Sequence, residues 1–131
     1  MPPRRKAGTK ASAKGARAIE RVLPGVRFSA AAVHGGTVYL AGQVADDAKG
    51  DITAQTRSVL ARVDAVLKAA GSRKSKLLAC TVYLADMRHF DAYNKVWDRW
   101  VDKRNMPTRA TVEARLATAD YLIEVVAVAA R

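Results

Sequence analysis

After Met1, large apolar residues are absent before Ile19, and from Val22 onward they recur with periods that switch between two and about 3.6. Phe28 to Val33 and Thr37 to Ala41 are short apolar runs around His34-Gly35-Gly36, a pattern that predicts a β-hairpin with a glycine turn. A short strand near Arg21 to Leu23 precedes it. Ala45 to Asp51 is a polar loop, and Asp51 is placed to cap a helix. Ile52, Val59, Val63, Val66, Leu67 and Ala70 fall on one face of that helix, which ends at Gly71. Leu77 to Leu84 reads as a buried strand. Phe90, Tyr93, Trp97 and Trp100 mark the inner face of a second helix from about Met87 to Val101. After the charged connection Asp102 to Pro107, two further strands are predicted at Thr108 to Leu116 and Tyr121 to Ala130. The order β-β-β-α-β-α-β-β, with hairpins at both ends, predicts an α+β fold with one mixed sheet and both helices on one face.

Composition adds a core and a division of the chain. Half of the 131 residues are hydrophobic, enough for one packed domain over residues 20–131. The formal charge of +11 is unevenly spread. Residues 1–19 carry six cations and no acid, which leaves seventeen cations against twelve acids in the body. Those first residues are Ala, Gly, Ser, Thr, Pro and cations, which cannot offset their ordering entropy by burial, so a disordered basic N-terminal arm is expected. Such an arm can attract nucleic acid without sequence specificity through counterion release. A solubilising tail is the simpler reading, and a presequence ranks last because Pro2 and Pro3 spoil its helix.

No stretch approaches the ~20 apolar residues of a membrane span, so no membrane partner is expected. Cys80 is the sole cysteine, which excludes an internal disulfide and fits a reducing, cytoplasmic setting. Its place in an apolar strand predicts inert packing. His34 and His89 have no ligand-type neighbours at metal spacing, and Asp46, Asp47 and Asp51 lack the closing Glu of a calcium loop, so no metal is assigned.

The chemistry is expected around Pro107-Thr108-Arg109-Ala110-Thr111-Val112-Glu113, with Glu124 fifteen residues beyond the arginine in an apolar strand. Arg109 offers a planar fork of donors that can hold a carboxylate bidentately. Glu124, flanked by Leu122, Ile123, Val125 and Val126, is expected to be partly buried, where a carboxyl group becomes better suited to proton transfer. Simpler roles are a salt bridge from Arg109 to Glu113 and a solvated charge at Glu124. Gly42 would let backbone approach a ligand or a second subunit, or would serve a strand bulge.

These residues together resemble the RidA/YjgF family of reactive intermediate deaminases. The resemblance is carried by Val38-Tyr39-Leu40-Ala41-Gly42-Gln43-Val44, Asp51-Ile52-Thr53-Ala54-Gln55-Thr56, Val63 to Gly71, Thr81-Val82-Tyr83-Leu84-Ala85-Asp86-Met87, Asn94, Pro107-Thr108-Arg109 and Ile123-Glu124-Val125. It implies a chorismate-mutase-like fold, a homotrimer, and sites between subunits. There, typical members hydrolyse enamines and 2-imino acids such as 2-aminoacrylate to 2-keto acids and ammonia without a cofactor. Arg109 and Glu124 take the catalytic positions, with Arg109, Phe28, Gly42, Asn94 and Thr111 facing substrate.

Three positions depart from the usual deaminase pattern. Phe28 stands where a tyrosine is usual, Ala41 where a serine is frequent, and Thr111 where a cysteine is familiar. Each lost charge-assisted hydrogen bond would cost ~1.5 to 3 kcal/mol. Two other functions therefore compete with deamination. One is a noncatalytic, metabolite-binding regulatory trimer using the same cleft. The other is an RNA-binding or endoribonuclease-type activity resting on the basic arm.

Overall fold

The computed structural model describes residues 18–131, so nearly all of the arm expected over residues 1–19 lies outside the described residues. β1 (Glu20–Pro24), β2 (Ser29–His34) and β3 (Thr37–Leu40) form an antiparallel meander. Between β2 and β3 the chain turns on Gly35 and Gly36, at φ 57° and 81°. A two-residue turn matched to strand twist needs that left-handed backbone, which a Cβ resists. The predicted glycine turn is confirmed.

A two-residue strand that the apolar pattern did not predict, β4 (Gln43–Val44), follows at once. Tyr39 pairs with Val128 and Gln43 with Val125, so four steps along one strand oppose three on the other. The extra residue is a bulge at Ala41-Gly42, the kind of local kink that re-aims side chains at a site.

Helix α1 (Ile52–Ala69) begins where Asp51 accepts a 2.9 Å hydrogen bond from the Ala54 backbone. It ends in paired bonds from Gly71 N to Lys68 O and from Ser72 N to Leu67 O, with Gly71 at φ 78°. Both predicted caps are present. β5 (Leu77–Leu84) leads to α2 (Phe90–Trp100), which starts three residues later than predicted. Met87–His89 is a tighter 3-10 turn, held by Asp86 accepting from Arg88 N and by Glu113 accepting from Met87 N at 2.7 Å.

β6 (Thr108–Glu113) and β7 (Ile123–Ala130) correct the expectation of a C-terminal hairpin. β5 lies between them, parallel to β6 and antiparallel to β7, in the order β1-β2-β3-β7-β5-β6. The expected strand to Leu116 stops at Glu113. From there residues 114–122 cross to β7 as a loop stapled by Gln55. That buried side chain donates to Ala48 O, Gly50 O and Asp120 O and accepts from Leu122 N at 2.9 Å.

Alternation then decides the layers. Val38, Leu40, Cys80, Val82, Leu84, Ile123, Val125 and Ala127 are buried in one cluster with Val59, Leu60, Val63 and Leu67 of α1 and Tyr93 and Trp97 of α2. Both helices therefore cover one face of the mixed sheet, as predicted. The opposite face presents Ala30, Ala32, Tyr39, Thr81, Tyr83, Val126 and Val128, none of them buried. No helix among the described residues is long and apolar enough to cross a membrane.

Candidate functional site

Arg109 lies on β6, the last strand of the sheet, beside Cys80 in register and therefore on the helix-covered side. Its guanidinium sits 5.0 Å from the ring centres of both Tyr93 and Trp97, and its Nη1 donates to Asn94 Oδ1 at 2.8 Å. The three partners occupy one face of α2, at positions i, i+1 and i+4, so the helix aims the arginine as a unit. Cation–π contacts of about 0.5 to 2 kcal/mol each hold the plane. No salt bridge joins Arg109 to a carboxylate among the described residues. Glu113, the expected partner, is committed to Met87 N instead. A half-buried guanidinium with no carboxylate partner among the described residues is chemically able to hold an anion.

Thr111, two residues along the same face, shares a 2.8 Å hydrogen bond with the Tyr93 hydroxyl. Burial pushes the Tyr93 phenol above its ordinary range, while the bond to Thr111 and the Arg109 charge act to lower it. Burial likewise pushes the Cys80 thiol up to about 11, partly offset by the Arg109 charge. Cys80 is buried in the core, the place its apolar strand predicted.

Glu124 belongs to a second cluster. It lies on β7 opposite Tyr83 and Val44, out of phase with the buried Ile123 and Val125, so it points to the open face. A Cβ built on Gly42 would lie 2.9 Å from Glu124 Cδ and 3.3 Å from Cγ, and closer still to Oε2. The carboxylate thus rests directly on the glycine backbone, inside the space a side chain would fill. Gln43 fixes that backbone: its buried amide donates to Ala41 O at 2.9 Å and accepts from Arg62 Nε at 3.3 Å. Phe28 precedes β2 in phase with Ala30 and Ala32, on the same open side, and is 67% exposed.

Arg109 and Glu124 do not sit side by side in one subunit, because strand alternation sends them to opposite faces of the sheet. Arg109, Asn94 and Thr111 form one cluster, and Glu124, Gly42 and Phe28 form the other. A groove of about 300 Å³ between α1 and α2, lined in part by Leu60, Asp64, Lys74 and Trp100, contains none of these residues. Reading the sequence missed Tyr93 and Trp97 as partners of Arg109, since their helical spacing with Phe90 and Trp100 signals only core. Asn94 beside that apolar stripe was the available hint.

The Endoribonuclease L-PSP family model matches residues 18–131, both clusters included. The chain belongs to the RidA/YjgF family. Among its relatives, a RutC family protein from Haemophilus influenzae is 40% identical over 112 residues, 85% of this chain and 97% of that protein. The RutC family protein YoaB of Escherichia coli is 41% identical over 86% of this chain and 97% of its own length. A YjgF-family crystal structure from Neisseria meningitidis superposes with TM-score 0.86 at 34% identity, covering 88% of this chain and 97% of that one. An uncharacterised protein from Pseudomonas aeruginosa gives TM-score 0.84 at 40% identity, over 87% and 99%. The RidA/YjgF fold expected from the sequence is thus the observed one. His34 and His89 sit apart at a strand end and a 3-10 turn, and no group of three ligand-type side chains is assembled among the described residues.

Proposed function

We propose that this chain hydrolyses 2-imino acids and their enamine tautomers, such as 2-aminoacrylate, to 2-keto acids and ammonia, without a cofactor, in a cytoplasmic homotrimer. The observation that carries this reading is Arg109: a half-buried guanidinium with no carboxylate partner among the described residues, held in place by Asn94, Tyr93 and Trp97. Because Glu124 faces the other side of its own sheet, the site is completed by a second copy that brings Glu124, Gly42 and Phe28 to the Arg109 edge. Burial of the apolar open face supplies the driving force for that assembly.

In the cleft Arg109 binds the substrate carboxylate and fixes the imine carbon. Glu124 takes a proton from water as its oxygen bonds to the carbon of the protonated imine, giving a neutral carbinolamine. It returns that proton to nitrogen and takes the carbinolamine's hydroxyl proton as the C=O forms and ammonia leaves, and the proton left on Glu124 passes to the ammonia. Phe28 packs against the substrate side chain, and the basic residues 1–19 add nonspecific nucleic-acid contact.

The test generates imines in situ with an amino-acid oxidase and follows ammonia or keto acid. Turnover that disappears in Arg109→Ala supports the reading, and wild-type-like turnover in that variant refutes it. A second reading, a metabolite-binding trimer without turnover, is favoured by the lost hydroxyls at Phe28 and Ala41 and by Thr111 in place of a thiol. It predicts saturable keto-acid binding with no imine consumed.

A further inference from the structure

We propose that Tyr93 is a positioning residue that turns the Thr111 hydroxyl into a donor to the same small acid that Arg109 holds. The proposal rests on the deaminase reading and adds to it a contact and the group that orients it.

The Tyr93 side chain is fully buried, with 0% exposure, and its hydroxyl lies 2.8 Å from Thr111 Oγ1. Its other polar neighbour, the Arg109 guanidinium, can only donate, so Thr111 Oγ1 is the acceptor within reach of the phenol hydrogen. Either oxygen could donate by geometry alone, and burial decides between them. If Thr111 donated, the phenol hydrogen would be left in the core without an acceptor, an arrangement native interiors avoid. Tyr93 therefore donates to Thr111 Oγ1. A threonine hydroxyl carries one hydrogen and two lone pairs. With a lone pair filled from the protein side, its own O–H is directed away from Tyr93.

Thr111 is half-buried and lies two residues from Arg109 on the same face of β6, about 7 Å along the strand. The long guanidinium and the short hydroxyl converge on an anion placed between them. The Tyr93 ring touches both members, since the guanidinium lies 5.0 Å from its centre. One buried phenol thus sets the plane of Arg109 with its ring and the rotor of Thr111 with its hydroxyl.

The ligand class that fits is a 2-keto or 2-imino acid, whose carboxylate offers several lone pairs to two donors. Because the contact is made to the carboxylate, it is present in ground state and transition state alike. Its loss should raise KM and leave kcat unchanged.

The experiment compares wild type, Tyr93→Phe, Thr111→Val, the double variant and Thr111→Ser, reading pyruvate binding by calorimetry, KM and kcat for an imine generated in situ, and the thermal midpoint. Each single variant should weaken Kd and raise KM about three- to tenfold at constant kcat. The double variant should be no worse than either single one, and Thr111→Ser should restore wild-type values. Single effects that multiply independently, or a Tyr93→Phe enzyme with unchanged KM and Kd, overturn the positioning role while the deaminase reading stands. A change in thermal midpoint without a change in KM or Kd assigns Tyr93 to packing and also overturns it. A wild-type protein that neither binds pyruvate nor consumes imines overturns both together.

Discussion

Substituting Gly42 with alanine tests the Glu124 half of the site at one carbon atom. The added Cβ would stand 2.9 Å from Glu124 Cδ and 3.3 Å from Cγ, and closer to Oε2, so something must shift. Gly42 is exposed and its backbone is tied through Gln43, whereas the Glu124 carboxylate ends a flexible side chain, so the carboxylate gives way. Ordinary van der Waals separation requires a displacement of about 1 Å. Misplacing a catalytic group by that much costs on the order of 10²-fold in rate. Stability should change little, because no buried volume is lost and no hydrogen bond is broken. The assay is ammonia release at saturating imine, with a thermal melt and pyruvate calorimetry on the same sample. The account predicts kcat down about 100-fold, a melting midpoint within a few degrees of wild type, and pyruvate binding retained through Arg109. Unchanged kcat in a folded Gly42→Ala protein would refute the reasoning that Glu124 acts from its place over this glycine.

Other consequences follow from the same geometry. Arg109→Lys keeps the charge but loses the fork, so KM should rise about tenfold or more in imine kinetics; an unchanged KM would argue against bidentate carboxylate binding. Gln55→Leu leaves three carbonyls and the Leu122 N–H without their buried partner. It should cost about 2 to 4 kcal/mol in denaturant unfolding. Cys80, with its thiol near 11 against an ordinary 9.0, keeps its proton in the folded state where the unfolded chain loses it. Its contribution is therefore intact below pH 9 and falls as pH rises toward 11, a slope that Cys80→Ala should remove from the stability profile. Deleting residues 1–19 should lower RNA binding, read by filter retention, and leave imine turnover unchanged.

Local signals carried most of the fold. Gly35-Gly36 specified the turn, Asp51 and Gly71 bounded α1, and the apolar runs Leu77 to Leu84 and Tyr121 to Ala130 marked strands, the second of which begins at Ile123. What sequence order hid was nonlocal. β5 inserts between two strands that are consecutive in the chain, and only that register shows Arg109 and Glu124 on opposite faces. The two-residue β4 is too short for a period, and the bulge at Gly42 appears only against β7. Arg109, Asn94 and Thr111 were named through the resemblance, while the packing of α2 under β6 that brings them together shows only in the structure. Tyr93 and Trp97 were not legible as site residues, since an aromatic stripe reads as core whether or not a cation rests on it.

The central claim is that each site takes Arg109 from one copy and Glu124 from another, and subunit mixing tests it most directly. Arg109→Ala and Glu124→Gln proteins, each inactive alone, are unfolded together, refolded and assayed for imine hydrolysis. Random assortment rebuilds an interface with both intact residues about one time in four, so the account predicts about a quarter of wild-type activity. A mixture of confirmed mixed oligomers that stays as inactive as its parents would contradict it.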